Sequence, residues 1–534
     1  VLQLTIFYRS PLLKRAQNQH RLTVDIPPLR GQVLDRSGQG LAINLKVPSI
    51  YAVPRIVRKE EKGPLAEELA GLLSLSRSFV DERLARDKAF IWLKRRVTTE
   101  EAEKITALNH PALGILYEYK RFYPHGTLLA NLLGFTNVDS QGIEGIERMM
   151  DSELRGRAGK RFSRRDALGR EIKAFEERTV PALDGHRVVL TIDRYLQYVT
   201  ERALERAFQK WKAKGAIAIL MNPRNGQILA MATRPTFDPN SPGGFPFENY
   251  RNRVLTDMFE PGSVFKIVTA AGVLSERKIT MTEKVHCENG AWSWGLKTLH
   301  DVHPYGFLSF PEVFIKSSNI GTVKLALRLG PGKLHRYVKL FGFGKKTGID
   351  LDGEAPGYVR PPSEWSKTTP YAIPIGQEVM VTPLQLARAI SFIANGGYLV
   401  KPYVVERVED IHGVTLRKGE PSVEGPKLEP QVAELLKETL WRATEEGTGK
   451  NARVKGIPVA GKTGTAQKIL EGRKGYSHSN FVGSFIGFAP ADHPLFSMVV
   501  MIDDPKGAYY GGTVAAPVFS EVMEAALAHV GYAP

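Results

Sequence analysis

Three short polar motifs, set far apart in the chain, constrain this sequence more than anything else in it. The first is Ser263-Val-Phe-Lys266, within Phe-Glu-Pro-Gly-Ser-Val-Phe-Lys-Ile-Val-Thr-Ala-Ala-Gly, where a Pro-Gly turn runs into an apolar helical pattern. In the first turn of a helix, Lys266 falls one turn after Ser263 and on the same face. A serine hydroxyl is a weak nucleophile until a neighbouring base takes its proton, and a desolvated lysine can be that base. Taken alone, the pair also fits an N-capping serine followed by a solvated lysine. Two further motifs follow in order, Ser317-Ser318-Asn319 and Lys462-Thr463-Gly464-Thr465. A fold that uses all three must bring distant segments to one point.

Lys-Thr-Gly occurs twice. Lys346-Thr347-Gly348 lies in Phe-Gly-Phe-Gly-Lys-Lys-Thr-Gly-Ile, where crowded glycines predict a loop. Lys462 follows Gly456-Ile-Pro-Val-Ala-Gly461, a short apolar run that predicts an edge or end of a strand. An edge strand offers free backbone groups to a peptide-like ligand. Lys462 is therefore the candidate, and not Lys346. Gly464 lets the backbone approach a ligand closely. Thr463 and Thr465 supply hydroxyls, and Lys462 a positive charge, for a carboxylate.

At 534 residues the chain is too long for one ordinary core. Its net charge of +17 favours anionic partners such as lipid headgroups or an anionic polymer. No helix-turn-helix, zinc-finger or RNA-recognition signature is present, which argues against nucleic acid. The single cysteine, Cys287, excludes intrachain disulfides and cysteine-based metal clusters, and reads as structural. His125, His300 and His303 show no ligand spacing, so no metal is expected, and with lysine as the acid–base group no organic cofactor is needed. The apolar Val1–Tyr8 run is too short to span a bilayer, which needs about 20 apolar residues. It reads as the outer end of a truncated membrane helix or as a core strand.

Composition shifts near Gly185. Before it, helical patterns at Gly63–Leu75 and Thr99–Ala107 sit in a charged, irregular α+β stretch. After it come a strand at Val188–Asp193 and an amphipathic helix at Tyr195–Trp211. A hairpin signal follows at Ala216–Met221 and Gln227–Met231. A second apolar strand pair, Phe481–Phe488 and Phe496–Ile502, precedes a final helix near Pro517–His529. Strands at both ends with helices between predict an antiparallel sheet covered by helices, the last strands closing onto the first.

The ordered set Ser-x-x-Lys, Ser-x-Asn and Lys-Thr-Gly is shared by penicillin-binding proteins and serine β-lactamases. Over nearly its whole length the chain resembles a class B penicillin-binding protein, a membrane-anchored peptidoglycan D,D-transpeptidase. Arg30-Gly31 through Asp35-Arg36-x-Gly38, and Gly142-Ile-Glu-Gly-Ile-Glu147, resemble segments of the family's non-catalytic pedestal. The resemblance implies an α+β chain: an elongated pedestal (dimerisation-type) domain and a serine β-lactamase-like transpeptidase domain with an antiparallel sheet flanked by helices. The expected division is 1–20, anchor end and linker; 21–184, pedestal; 185–534, transpeptidase domain. Ser317-Ser318-Asn319, Phe341-Gly-Phe-Gly344, Thr382–Ala387 and Tyr509-Tyr-Gly-Gly512 resemble the cell-division branch, the FtsI type. The alternative is the elongation branch, which more often carries an acidic residue in place of Asn319.

Roles implied by the resemblance follow position by position. Ser263 is the acylated nucleophile and Lys266 its base. Ser317 relays protons to the leaving amine, and Asn319 positions Lys266 and the substrate amide. Lys462 and Thr463 hold the substrate carboxylate and polarise Ser317. The backbone N–H groups of Ser263 and Thr465 form the oxyanion hole. Implied partners are peptidoglycan stem peptides, β-lactam antibiotics, a SEDS-type glycan polymerase (FtsW-like) with other division proteins, and the membrane through an N-terminal anchor. Val1–Arg21 and Gly31–Leu41 are candidate contact regions for the polymerase. The implied location is the bacterial cytoplasmic membrane, with the catalytic domain on the periplasmic side. Glu260 and Glu378 read as exposed loop residues rather than as the extra carboxylate that class A β-lactamases use for hydrolysis. Competing readings are a β-lactam hydrolase or D,D-carboxypeptidase, a β-lactam sensor, and a non-catalytic scaffold.

Overall fold

The computed structural model describes residues 21–165, 171–172, 178–294, 297–469 and 475–532. The candidate anchor at 1–20 lies outside the described residues. Among those described, no helix is long and apolar enough to cross a membrane.

The C-terminal half is built on a five-stranded antiparallel sheet. Its strand order is Ile228–Arg234, Gly215–Met221, Phe496–Asp503, Tyr476–Ala489 and Ala460–Ile469. The last strands do close onto the first: Ala216 pairs with Ile502 and Ala218 with Val500. Gly215–Met221 is buried along its whole length, so both faces of the sheet are covered. Successive side chains on a strand face opposite ways. Ile217, Ile219 and Met221 enter a core with Val264, Phe265 and Val268. Ala216, Ala218 and Leu220 enter another, with Leu204, Phe519 and Val522. The second core is closed by the helices Arg194–Lys210 and Ala516–His529. Asp193 starts the first of these, its carboxylate accepting from the N–H groups of Tyr195 and Leu196.

Val188–Asp193, expected at the start of the catalytic half, does not join that sheet. Its strand, Arg187–Leu190, enters a separate seven-stranded sheet, pairing in parallel with Val33–Leu34 and antiparallel with Val405–Glu409. This sheet continues into the N-terminal half through Gly40–Ala52, which pairs with Ile91–Lys94 and Leu113–Phe122. It therefore draws strands from both sides of residue 184.

The pedestal-like segments meet in a buried ion cluster. Glu147, fully buried, accepts from Arg30 Nε at 2.7 Å and from Arg121 Nε at 2.5 Å. Arg30 also donates to Asp151 at 2.6 Å and to the Ser140 carbonyl at 2.9 Å, and Arg121 to the Gly31 carbonyl at 2.8 Å. Gly31 is forced: a Cβ there would stand 1.7 Å from the His186 carbonyl oxygen. A few residues on, Asp35 closes a turn by accepting from Ser37 and Gln39, with Gly38 in the left-handed region at φ +84°.

Removing one member of a buried ion cluster strands the others without compensation. Glu147→Ala is expected to lower the unfolding free energy by about 3–5 kcal/mol, read as a fall in the denaturant midpoint.

Candidate active site

Ser263 lies in a 3₁₀ turn, Gly262–Phe265, that leads directly into the helix Lys266–Ser275. Gly262 holds φ +59°, and a Cβ on it would press on the Thr465 carbonyl oxygen at 3.0 Å, so this turn needs glycine. Lys266 sits one turn below Ser263 and is completely buried.

The second motif forms the adjoining wall. Ser317 is strained in the left-handed region at φ +58°. In that conformation its carbonyl oxygen takes a hydrogen bond from Lys266 Nζ at 2.7 Å. Asn319 Oδ1 accepts from the same nitrogen at 2.7 Å, and Ser317 Oγ stands 3.2 Å from it. A neutral amine donates two hydrogens and keeps one lone pair. The two short contacts use both donors, which leaves the lone pair for a hydroxyl proton.

The third motif arrives on the edge strand Ala460–Ile469, as expected. Lys462 Nζ donates to Ser317 Oγ at 2.9 Å and to the Thr463 carbonyl at 3.1 Å, and its side chain is 1 % exposed. The Ser317 hydroxyl is thus shared between two buried amines. Burial pushes Lys462 down to about 7. Lys266 falls well below the ordinary lysine range, first through burial and then through repulsion from Lys462, while Asp301 acts in the opposite direction. The other copy, Lys346-Thr347-Gly348, is elsewhere: the N–H groups of Thr347 and Gly348 donate to Glu354 in a loop.

Ser263, Ser317, Asn319, Thr463, Thr465 and Tyr510 line one cavity of about 840 Å³. Thr463 Oγ1 is 2.6 Å from Thr448 Oγ1, and Thr465 Oγ1 accepts from the Gly511 N–H at 3.2 Å. Gly464 lies between Thr463 and Thr465 on the strand. A Cβ there would meet Ser484 Oγ at 2.4 Å and Val264 Cγ1 at 2.8 Å. Its missing side chain seats the Ser263 turn against the strand, a packing need that sequence alone did not mark.

Two acidic residues refine the sequence reading. Glu260, expected in an exposed loop, is 7 % exposed. It lines the cavity, and its Oε1 accepts from the Glu378 N–H at 2.8 Å and from the Tyr476 hydroxyl at 3.2 Å. Burial raises its carboxyl group above the ordinary range. Asp301, which no motif marks, binds the second motif from behind. Its Oδ2 accepts from Ser318 Oγ at 2.6 Å, and its Oδ1 from the Asn319 and Ile320 N–H groups.

Gly464→Ala is expected to destabilise the protein by about 1–3 kcal/mol through overpacking. Ser484→Ala in the same chain removes the nearest clashing atom and is expected to recover part of that loss, measured by denaturant titration of the single and double variants.

Comparison with known proteins identifies the family. Residues 216–524 match the family model for the penicillin-binding protein transpeptidase domain, and residues 25–190 that for the penicillin-binding protein dimerisation domain. The chain is 36 % identical over 539 residues to Stage V sporulation protein D of Bacillus subtilis, covering 98 % of this chain and 82 % of that protein. It is 35 % identical over 536 residues to peptidoglycan D,D-transpeptidase FtsI of Escherichia coli, covering 98 % and 87 %. The crystal structure of penicillin-binding protein 3 from Mycobacterium tuberculosis complexed with aztreonam superposes with a TM-score of 0.73 at 27 % identity, covering 95 % of this chain and 97 % of that one. The chain belongs to the class B penicillin-binding proteins and is a peptidoglycan D,D-transpeptidase with a dimerisation-type domain before its transpeptidase domain.

Proposed function

We propose that this transpeptidase works through an acyl-enzyme on Ser263 and serves septal wall synthesis. The observation that carries the chemistry is the Ser317 hydroxyl, held between the buried amines of Lys266 and Lys462 beside Ser263. A donor stem peptide lies along the free edge of Ala460–Ile469, its terminal carboxylate near Lys462, Thr463 and Thr465. The Ser263 hydroxyl attacks the carbonyl between the two D-alanines as neutral Lys266 takes its proton. The backbone N–H groups of Ser263 and Thr465 receive the developing oxyanion, and each such donor lowers the barrier by roughly 3–4 kcal/mol.

The carbon–nitrogen bond then breaks, and the D-Ala amine leaves with a proton passed through Ser317. An amine from a neighbouring stem attacks the ester and loses a proton to the same relay. The Ser263 oxygen departs, regains its proton, and the cross-link is made.

The septal assignment rests on Ser317-Ser318-Asn319 and on the similarity to a transpeptidase named FtsI. On this reading a β-lactam acylates Ser263 and stays bound. The catalytic half works outside the cytoplasmic membrane, where the wall is built, alongside a SEDS-type glycan polymerase.

Mass spectrometry after incubation with a β-lactam tests the chemistry. A lasting adduct mapping to Ser263, absent in a folded Ser263→Ala variant, is the expected outcome. Labelling retained in that variant overturns the nucleophile, and a transient adduct with accumulating hydrolysed drug means a hydrolase. A lipid-linked substrate assay then separates cross-linking from mere sensing. The septal role predicts that the chain restores division, rather than rod elongation, in cells depleted of their own division transpeptidase.

The pH dependence follows from the two lysines. Lys266 must be neutral to accept a proton, so acylation rises with pH through its lowered pKa and reaches its plateau below the ordinary lysine range. Lys462→Met removes the repulsion that depresses Lys266. That substitution is expected to move the acid limb of the rate profile to higher pH, measured as the second-order acylation rate constant from pH 5 to pH 10.

A further inference from the structure

A single carboxylate outside the three motifs holds the second one together. Asp301 follows the hairpin Ala291–Trp294 and Lys297–His300. One carboxylate oxygen accepts from Ser318 Oγ at 2.6 Å, and the other from the backbone N–H groups of Asn319 and of Ile320, the latter at 3.1 Å. The carbonyl of the preceding residue, His300, accepts from Asn319 Nδ2 at 2.9 Å. That bond fixes which way the Asn319 amide faces, and so presents its oxygen to Lys266 Nζ at 2.7 Å. Ser318 is itself the N-cap of the helix Asn319–Leu329, accepting from the Gly321 N–H at 2.9 Å. Every residue of the second motif except Ser317 is therefore bound by His300 or Asp301. Ser317, the strained one, is the neighbour of Ser318 and carries a carbonyl that Lys266 approaches and the hydroxyl that Lys266 and Lys462 share.

We propose that Asp301 is a positioning residue for acylation: it clamps Ser318 and Asn319 so that the Ser317 carbonyl and the Asn319 amide oxygen stay fixed on Lys266. The inference rests on Lys266 being the base for Ser263. A helix cap alone would need only the bonds to backbone N–H groups, which Ser318 already makes in part. The additional bond to the Ser318 hydroxyl and the neighbouring hold on the Asn319 amide reach toward the base, as a second layer of contacts does when it orients the groups that react.

The carboxylate also contributes charge. The titratable and charged groups around it are His300 and His303 on its own segment, Lys266 and Lys462 on the cavity side, Cys287 and Tyr305 beside it, Lys316 over the Tyr305 ring, and Lys324, which Glu288 holds. Lys462 and Asp301 act on Lys266 with opposite sign.

The test is the pH profile of Ser263 acylation by a β-lactam in the full chain. Asp301→Asn keeps the shape and removes the charge. It is expected to slow plateau acylation at least about tenfold, as small misplacements of reacting groups do. It is also expected to move the acid limb to lower pH, opposite to Lys462→Met. Ser318→Ala deletes the hydroxyl's bonds to Asp301 and to the Gly321 N–H and leaves the charge, so it slows the plateau with the limb in place; it carries the test if Asp301→Asn does not fold. A folded Asp301→Asn protein with an unshifted limb, or Ser318→Ala at full rate, overturns the proposal. Failure of the unaltered chain to label at Ser263 overturns instead the assignment of the nucleophile on which it rests.

Discussion

Two lysine amines buried against one serine hydroxyl are the constraint on which the rest of the catalytic half depends. A charged amine away from water is costly, and two within reach of one oxygen repel each other. The protein meets that cost by lowering both affinities for protons and by surrounding Lys266 with a carbonyl and an amide oxygen. Such an arrangement works only if the acceptors cannot drift. It requires Ser317 in a strained backbone state, a helix start fixed by Ser318 and Asp301, and a strand that brings Lys462 in from the opposite side.

The sheet explains how that strand is held. Ala460–Ile469 is an edge strand, paired on one side only, so its other side is open toward the cavity. Its stiffness comes from Tyr476–Ala489 and Phe496–Asp503 behind it, which are buried between two helical layers over 482–489 and 496–502. Glycine at 464 and at 262 lets the nucleophile turn come close to this strand, which places the first and third motifs side by side. A helix start carries the first motif, a second helix start the other serine motif, and a strand the Lys-Thr-Gly motif.

The catalytic sheet was legible because its strands are apolar runs ended by turns. Ala216–Met221 and Phe496–Ile502 carry that signal openly, and both lie in the observed strands. The motif residues were legible because their spacing is chemical: a lysine one helical turn from a serine has few other uses in such company. The longest N-terminal strand, Gly40–Ala52, escaped because Lys46 and Pro48 interrupt its pattern and much of it is only partly buried. Asp301 and the burial of Glu260 escaped for a different reason. Both depend on what the chain brings near them from a distance, Ser318 and Asn319 in one case and Tyr476 and Glu378 in the other. Gly464 was singled out, but the packing that also requires glycine there was not legible, since its neighbours Ser484 and Val264 come from other segments.

The seven-stranded sheet that crosses residue 184 bears on how the chain is made. Synthesis runs from the N-terminus, and domains generally fold as they emerge. Here the strand Val33–Leu34 waits for Arg187–Leu190 to pair with it, and that strand in turn waits for Val405–Glu409 and the neighbouring Thr415–Lys418. The earlier half therefore cannot complete its own sheet until most of the later half has left the ribosome. The joint between the halves is finished late, and a chain broken off before Val405 would leave the edge of Arg187–Leu190 bare.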